Sequence, residues 1–539
     1  MAMAAYHPAA ALSFLLVLSL FLLARSDPPP STPVPPATAC NDTTDPTFCR
    51  SVLPANGTNN LYTYGRFSAA RSLSNANRFL GLVNRYLARG SLSDAAVAAL
   101  QDCQLLSGLN IDFLSAAGAT LNTTKSTLLD PQAEDVQTLL SAILTNQQTC
   151  ADGLQAAASA WSVRSGLAVP MANSTKLYSI SLSLFTRAWV PRGKGKKPRA
   201  SSSTKPPRQH GRGLFDATDD EMVRRMALEG AAAAVSVAGA VTVDQSGAGN
   251  YTTVADAVAA APSNLGASSG YFVIHVAAGV YEENVAVPKN KKYVMMVGDG
   301  IGQTVITGNR SVVDGWTTFN SATFAVLGQG FVAVNMTFRN TAGPAKHQAV
   351  ALRSGADLST FYQCSFEGYQ DTLYTHSLRQ FYRACDVYGT VDYVFGNAAV
   401  VFQDCTLYNR LPMAGQSNTV TAQGLRPEPE HGHHHPGLLH RGRAGARRQH
   451  GLRHRHLPGE AVEDVLAHGD HAVGRGRDRR PGGVDAVERR LRAQHALLRR
   501  VRQLRGWVGH EQEGELARLP CAQQHRRRRQ LHRRQHGAR

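Results

Sequence analysis

The 539-residue chain reads as two folds in series, an antiparallel helical bundle and then a parallel β-helix. Three observations predict this. Cysteine recurs at Cys364, Cys385 and Cys405, and aspartate at Asp371 and Asp392, with gaps of 20 or 21 residues. Phe-Tyr recurs in the same stretch at Phe361-Tyr362 and Phe381-Tyr382, followed by Phe402-Gln403. Such a period, on short β-branched and aromatic segments with Gly and Asn at the turns, is that of a solenoid with one coil per repeat. Earlier, from about Cys40 to Val190, apolar residues fall at helical spacing instead. The length itself exceeds one ordinary domain.

In chain order, Ala9 to Leu23 is an apolar run ending in Ala24-Arg25-Ser26. It is too short and too terminal for a membrane span and reads as a secretory signal over residues 1–26. A Pro-rich spacer fills 27–39. Export to a secreted, extracellular location permits disulfides. It also gives meaning to the N-x-S/T triplets at Asn41, Asn56, Asn122, Asn173, Asn250, Asn309 and Asn335. No membrane association is expected once the signal is removed.

Residues 40–190 form the bundle. Phe79, Leu82, Val83, Tyr86 and Leu87 share one helical face, as do Val136, Leu139, Leu140, Ile143 and Cys150. Asp130-Pro131 and Ala168-Val169-Pro170 punctuate the gaps between helices. Of its four cysteines, Cys40 and Cys49 are close enough to close a hairpin, and Cys103 and Cys150 sit on separate helices; three pairings are open. Residues 191–238 are a linker rich in Pro, Ser, Gly and basic residues, in which Arg224-Arg225 offers a processing site.

From Val241 the pattern changes to short strands, with Ala255 to Ala261 as a helix capping the solenoid. Phe272–Val276, Tyr293–Val297 and Phe331–Phe338 are β-rich runs. Gly298-Asp299-Gly300-Ile301-Gly302 lacks the full dinucleotide fingerprint and the following βαβ unit, so it reads as a coil turn.

One period of separation places Asp371 and Asp392 on neighbouring coils, roughly 4.8 Å apart, beside Tyr369, Tyr374, Tyr393 and Phe395. Two carboxylates that close do not both ionise freely, which suits a nucleophile beside a general acid. Gln348 and Gln370 supply neutral amide donors for an oxyanion. A stacked polar ladder that only caps a turn accounts for the same spacing. Cys364 and Cys385, on adjacent coils, are spaced for a disulfide.

QAVAL (Gln348 to Leu352), GYQDTLY (Gly368 to Tyr374), VDYVFG (Val391 to Gly396) and GVYEE (Gly279 to Glu283) resemble, in order, the core motifs of plant pectin methylesterases. The resemblance implies a right-handed parallel β-helix that hydrolyses methyl esters of homogalacturonan to pectate and methanol. It makes Asp392 the nucleophile, Asp371 the acid/base and Gln370 the oxyanion donor. Gln348 serves both oxyanion and substrate, and Thr318, Tyr369 and Phe395 contact substrate. It implies neither a metal nor another cofactor. LTNQQTCADG (Leu144 to Gly153) resembles the pectin methylesterase inhibitor domain, which implies a four-helix bundle with the pairs Cys40–Cys49 and Cys103–Cys150. The implied partners are methyl-esterified pectin and, for the bundle, the chain's own enzyme domain or other pectinesterases.

The esterase region, 239–424, is incomplete. Leu425 to Arg539 lacks Ser, Thr, Asn, Ile, Phe, Tyr, Met and Lys, and holds 26 Arg against 12 acidic residues, +14 of the chain's +18. Arg runs and His431 to His435 suggest nucleic-acid or metal binding, but codon arithmetic favours a simpler origin. His456 to Gly469 can be encoded so that dropping one base yields Thr-Tyr-Leu-Gly-Arg-Pro-Trp, which resembles the family's missing Leu-Gly-Arg-Pro-Trp motif. Two later segments become family-like in the same frame. A change of reading frame near Gly424 is therefore expected, with 425–539 a disordered tail that does not continue the solenoid and binds no nucleic acid. Two other classes remain: an inhibitor-like secreted protein with a broken enzyme domain, and a β-helical polysaccharide hydrolase or lyase.

Overall fold

The computed structural model describes residues 29–55, 59–191, 237–423 and 453–456. The signal at 1–26, Asn56, Arg224, Arg225 and most of the stretch after Gly424 lie outside the described residues. The chain divides into two compact units, Met1–Leu92 with Cys103–Arg192, and Ser93–Asp102 with Gly193–Arg539.

The helical part comprises α1 (Pro36–Cys40), α2 (Pro46–Val52), α3 (Leu61–Leu87), α4 (Asp94–Thr123), α5 (Asp130–Ala156) and α6 (Trp161–Trp189). The starts follow local chemistry. The Asp45 carboxylate accepts from the Phe48 N–H at α2, and the Asn60 side chain from the Thr63 N–H at α3. Pro131 stands in the first turn of α5, where its missing N–H costs nothing. The core gathers Tyr64, Leu114, Ile143, Ile180, Phe185 and Trp189, all buried. The disulfides Cys40–Cys49 and Cys103–Cys150 are both formed.

Pro170 does not end a helix as its sequence context suggests; it lies inside α6. Val163 and Leu167 before it, and Leu177, Tyr178 and Leu184 after it, are all buried. Packing along that face outweighs the local cost of the proline; one turn on, the Ser174 hydroxyl donates to the Pro170 carbonyl at 2.7 Å.

The second unit holds the solenoid. Three parallel sheets of seven, six and seven strands run along it. The first helix of this region, α7 (Val254–Ala260), covers the entry coil. Its first two N–H groups, Val254 and Ala255, donate to the Glu283 carboxylate, each at 2.9 Å. Tyr281, two residues earlier, is buried with its hydroxyl on the Ala277 carbonyl. The Gly-Val-Tyr-Glu-Glu stretch is thus a structural clamp on the first coil. Gly298 to Gly302 is a coil turn: the Asp299 carboxylate takes the Ala278 N–H, and Gly302 adopts φ +75°. Phe331–Phe338 is two strands, Val332–Val334 and Thr337–Asn340, broken at Asn335, whose φ is +57°.

The register differs from the apparent dipeptide repeat. Phe361 pairs with Tyr382, not Phe381. The rings of Phe361, Tyr382 and Phe402 stack in the interior at 4.8 and 4.9 Å, while Phe381 packs with Met295, Val297, Val332 and Val334 in a separate cluster. The cysteine spacing, 21 then 20, follows the true register. Cys364, Cys385 and Cys405 are nonetheless free and buried, so the disulfide expected between Cys364 and Cys385 is absent. In-register parallel coils hold the two Cβ vectors side by side. A disulfide needs them to converge, with Cβ atoms about 3.8 Å apart.

One strand after Gly424 departs from the expectation for the tail. Arg453–His456 pairs in parallel with Thr406–Asn409 and extends the third sheet by one rung.

Candidate active site

Two short strands of the six-stranded sheet, Leu373–Thr375 and Val394–Phe395, lie side by side, with Leu373 opposite Val394 and Tyr374 opposite Phe395. Asp371 and Asp392 each stand two residues before one of them. The Asp371 N–H donates to the Val391 carbonyl at 3.0 Å, and the Ala349 N–H to the Gln370 carbonyl at 3.2 Å. These bonds stack Gln348-Ala349, Gln370-Asp371 and Val391-Asp392 on three successive coils.

Both aspartates take left-handed backbone, φ +61° at Asp371 and +50° at Asp392. Asp tolerates this region better than most residues. The turn is braced from inside: the buried Thr372 hydroxyl donates to the Tyr369 and Tyr388 carbonyls. Gly389 is required beside it, because a Cβ there would lie 2.1 Å from the Cβ of Tyr393.

The two carboxyls differ in setting. Asp371 is 8% exposed, and burial followed by the charge of Asp392 pushes its pKa up to about 8. Asp392 is half-buried and raised by burial alone. The asymmetry has a simple order behind it. Asp392 titrates first, beside a neutral Asp371; Asp371 then titrates beside a negative charge. Asp371, pushed up to about 8, keeps its proton at neutral pH.

Gln348 and Gln370 are half-buried on the preceding coils. The Gln370 Oε1 is buried and has no hydrogen-bond partner among the described residues. Phe395 stacks on Tyr374 with centroids 4.1 Å apart. Tyr369 instead faces Arg410, whose guanidinium lies 4.8 Å from its ring centroid and donates to the Gly368 carbonyl. Thr318 is half-buried and gives its carbonyl to the Ser321 hydroxyl.

Sequence reasoning missed a group beside Tyr374. Phe319, Tyr374 and His376 meet edge to face. Arg353, paired with Tyr374 across the sheet, lays its guanidinium over Phe319 at 3.4 Å and donates from Nε to the Phe319 carbonyl. His376 is buried, and burial followed by the Arg353 charge pushes its pKa down to about 3, so it stays neutral. The alternation of Leu352-Arg353-Ser354 and Leu373-Tyr374-Thr375 places Arg353 and Tyr374 on the same face, a signal the sequence does carry. Among the described residues no group of His, Cys, Asp and Glu could hold a metal ion, and no helix is long and apolar enough to cross a membrane.

Residues 240–434 match the family profile described as Pectinesterase, and residues 36–184 that of Plant invertase/pectin methylesterase inhibitor. The chain is 54% identical over 427 residues to "Probable pectinesterase/pectinesterase inhibitor 41" of Arabidopsis thaliana, covering 73% of this chain and 72% of that protein. It is also 54% identical to "Probable pectinesterase/pectinesterase inhibitor 7" of the same plant, over 73% of each chain. Among solved structures, "Pectin methylesterase from Carrot" shares 56% identity at a TM-score of 0.34, over 35% of this chain; the match spans 59% of the carrot chain.

Proposed function

The chain belongs to the pectinesterase family, with an inhibitor-family domain ahead of the esterase domain, and from this we propose that Asp371 and Asp392 serve the hydrolysis of methyl esters in pectin outside the cell. The observation that carries the reading is the carboxyl pair itself: two aspartates on adjacent coils, one buried and protonated at neutral pH, the other more open and first to ionise.

The Asp392 carboxylate attacks the ester carbonyl carbon of a methyl galacturonate residue. The carbonyl oxygen gathers negative charge and takes N–H donors from the Gln370 and Gln348 carboxamides. Asp371 gives its proton to the departing methoxy oxygen, so methanol leaves and an acyl anhydride to Asp392 remains. Asp371, now ionised, takes a proton from water as that water attacks the anhydride. Galacturonate is released, Asp392 is regenerated and Asp371 is again protonated. The Tyr374–Phe395 stack offers a platform for a sugar ring.

Asp392 has no cation acting on it among the shifts that set its pKa. By the family resemblance the Arg-Pro-Trp motif supplies that cation and a further aromatic, and we place the motif in the alternative frame after Gly424. The test is methanol release from methyl-esterified pectin by the 539-residue chain and by a version with the frame restored after Gly424. Methanol from the restored chain, with little from the chain as written, is the expected result. A well-folded restored chain that releases none overturns the esterase assignment.

A further inference from the structure

The helical unit carries a groove that no step of the proposed reaction uses. Three helices build its walls. Phe48 and Val52 come from α2, Asn173 and Leu177 from α6, and Phe67, Arg71, Asn75 and Arg78 from one face of α3. The α3 wall, residues 67–78, runs for three turns, about 16 Å. The groove holds about 580 Å³, the size of a ligand site rather than of a packing defect. Val52 and Leu177 are buried at its floor, and the Phe48 and Phe67 rings are half-buried.

Its charge is one-sided. Arg71 and Arg78 are both exposed. They stand two turns apart on the same face of α3, about 10 Å along the axis. Neither guanidinium has a hydrogen bond or ion pair among the described residues, and no acidic side chain lines the groove. Lys176, by contrast, lies 5.4 Å from the Phe48 ring and is matched by Asp45 at 2.8 Å. A solvated arginine on a helix needs no explanation. These two, however, share a wall with a half-buried aromatic ring and with the Asn75 amide, which is anchored by its bond to the Ser174 hydroxyl at 2.7 Å.

That combination fits an acidic sugar better than an acidic peptide. A uronate offers a carboxylate to a guanidinium fork, a ring face to an aromatic side chain, and hydroxyls to an amide. The walls are helices, whose backbone groups pair internally, so a peptide strand finds no edge to extend. We propose that this groove binds a short run of de-esterified uronates in an acidic polysaccharide, with Arg71 and Arg78 each taking one carboxylate. The choice of a uronate polymer among anions rests on the pectin reading of the second unit; the preference for an anion does not. Such a site tethers the chain to polymer that already carries free acid groups, apart from any turnover.

The test is hydrogen–deuterium exchange of the full chain titrated with hexagalacturonate, its methyl ester and poly-L-glutamate. The protein is made in a bacterial periplasm, so that Asn173, which heads an N-x-S triplet, carries no glycan. Slower exchange across residues 67–78 is expected with hexagalacturonate alone. Arg71→Gln and Arg78→Gln keep a good helix former at each position. Each should raise the hexagalacturonate concentration for half-maximal protection about fivefold, the upper range for an exposed ion pair. Both together should abolish protection of α3 and leave exchange in the solenoid unchanged, with melting curves showing that the variants stay folded. No protection of α3, equal protection by the methyl ester, or protection that survives the double substitution would overturn the site. Equal protection by poly-L-glutamate would overturn the uronate in favour of an acidic peptide. Methanol release does not enter this readout. Binding at α3 by a restored chain without esterase activity leaves the groove standing and removes the esterase assignment; an active chain without protection of α3 removes the groove alone.

Discussion

Asp371 is asked to be buried and to carry a proton, and the two demands act against stability as pH rises. Its folded pKa lies near 8, above the ordinary value of 3.8. The folded protein thus binds a proton that the unfolded chain gives up, and stability falls between those two values as pH increases. Asp371→Asn removes the penalty. Its melting temperature is expected to exceed that of the wild type at pH 8 to 9 and to match it near pH 4; a pH-independent difference would contradict the burial argument. In the frame-restored enzyme the same variant, and Asp392→Asn, should lose nearly all methanol release. Gln370→Ala should cost about 100-fold, the loss typical of one oxyanion donor. The 21-residue spacing made the aspartate pair legible in the sequence, because a solenoid converts periodicity directly into proximity. Which of the two is buried was not legible. It depends on the turns around them and on Tyr393 and Thr372 beneath. Arg353 was overlooked although its position in the strand was readable, since its role arises from a loop residue, Phe319, thirty-four positions earlier.

At the scale of elements, caps and turns set the coils. Glu283 closes the N-terminus of α7 with two hydrogen bonds. Glu283→Ala leaves both N–H groups without that acceptor and should cost about 1–2 kcal/mol, in the range of a lost helix cap, read as a lower denaturant midpoint. Gly389→Ala should destabilise by about 1–3 kcal/mol or more, as for an overpacked core, because Tyr393 cannot move without moving the Asp392 turn. The three interior cysteines give a chemical check on register. Cys364, Cys385 and Cys405 are expected to resist alkylation in the native protein and to react fully on denaturation without reductant. Recovery of Cys364 and Cys385 as a linked peptide would contradict the free ladder. Here the sequence was read correctly for position and wrongly for bonding: spacing reports which coils are adjacent, whereas a disulfide depends on where Cβ points. Pro170 misled for a related reason, since a local helix breaker says nothing of the buried face on either side of it.

At the scale of the whole molecule, the helical unit and the solenoid follow different rules of cohesion. The bundle draws on a core to which each of its helices contributes, and its two disulfides join segments 9 and 47 residues apart. The solenoid's strands pair only with those of the coils before and after, so its stability is close to a sum of neighbour terms. Its architecture was therefore legible from a short repeat, coil by coil. The pairing of Arg453–His456 with Thr406–Asn409 was not legible, because nothing in that segment repeats the period of the coils.

That mode of stacking has a bearing on inheritance. A globular domain whose last quarter is rewritten loses its centre, and with it every earlier element. A column of coils is built in courses, and an upper course can be replaced by foreign text while those below keep their bonds. A lineage carrying such a lesion would keep a recognisable wall from Val237 to Ala422, with the aspartates still set in it.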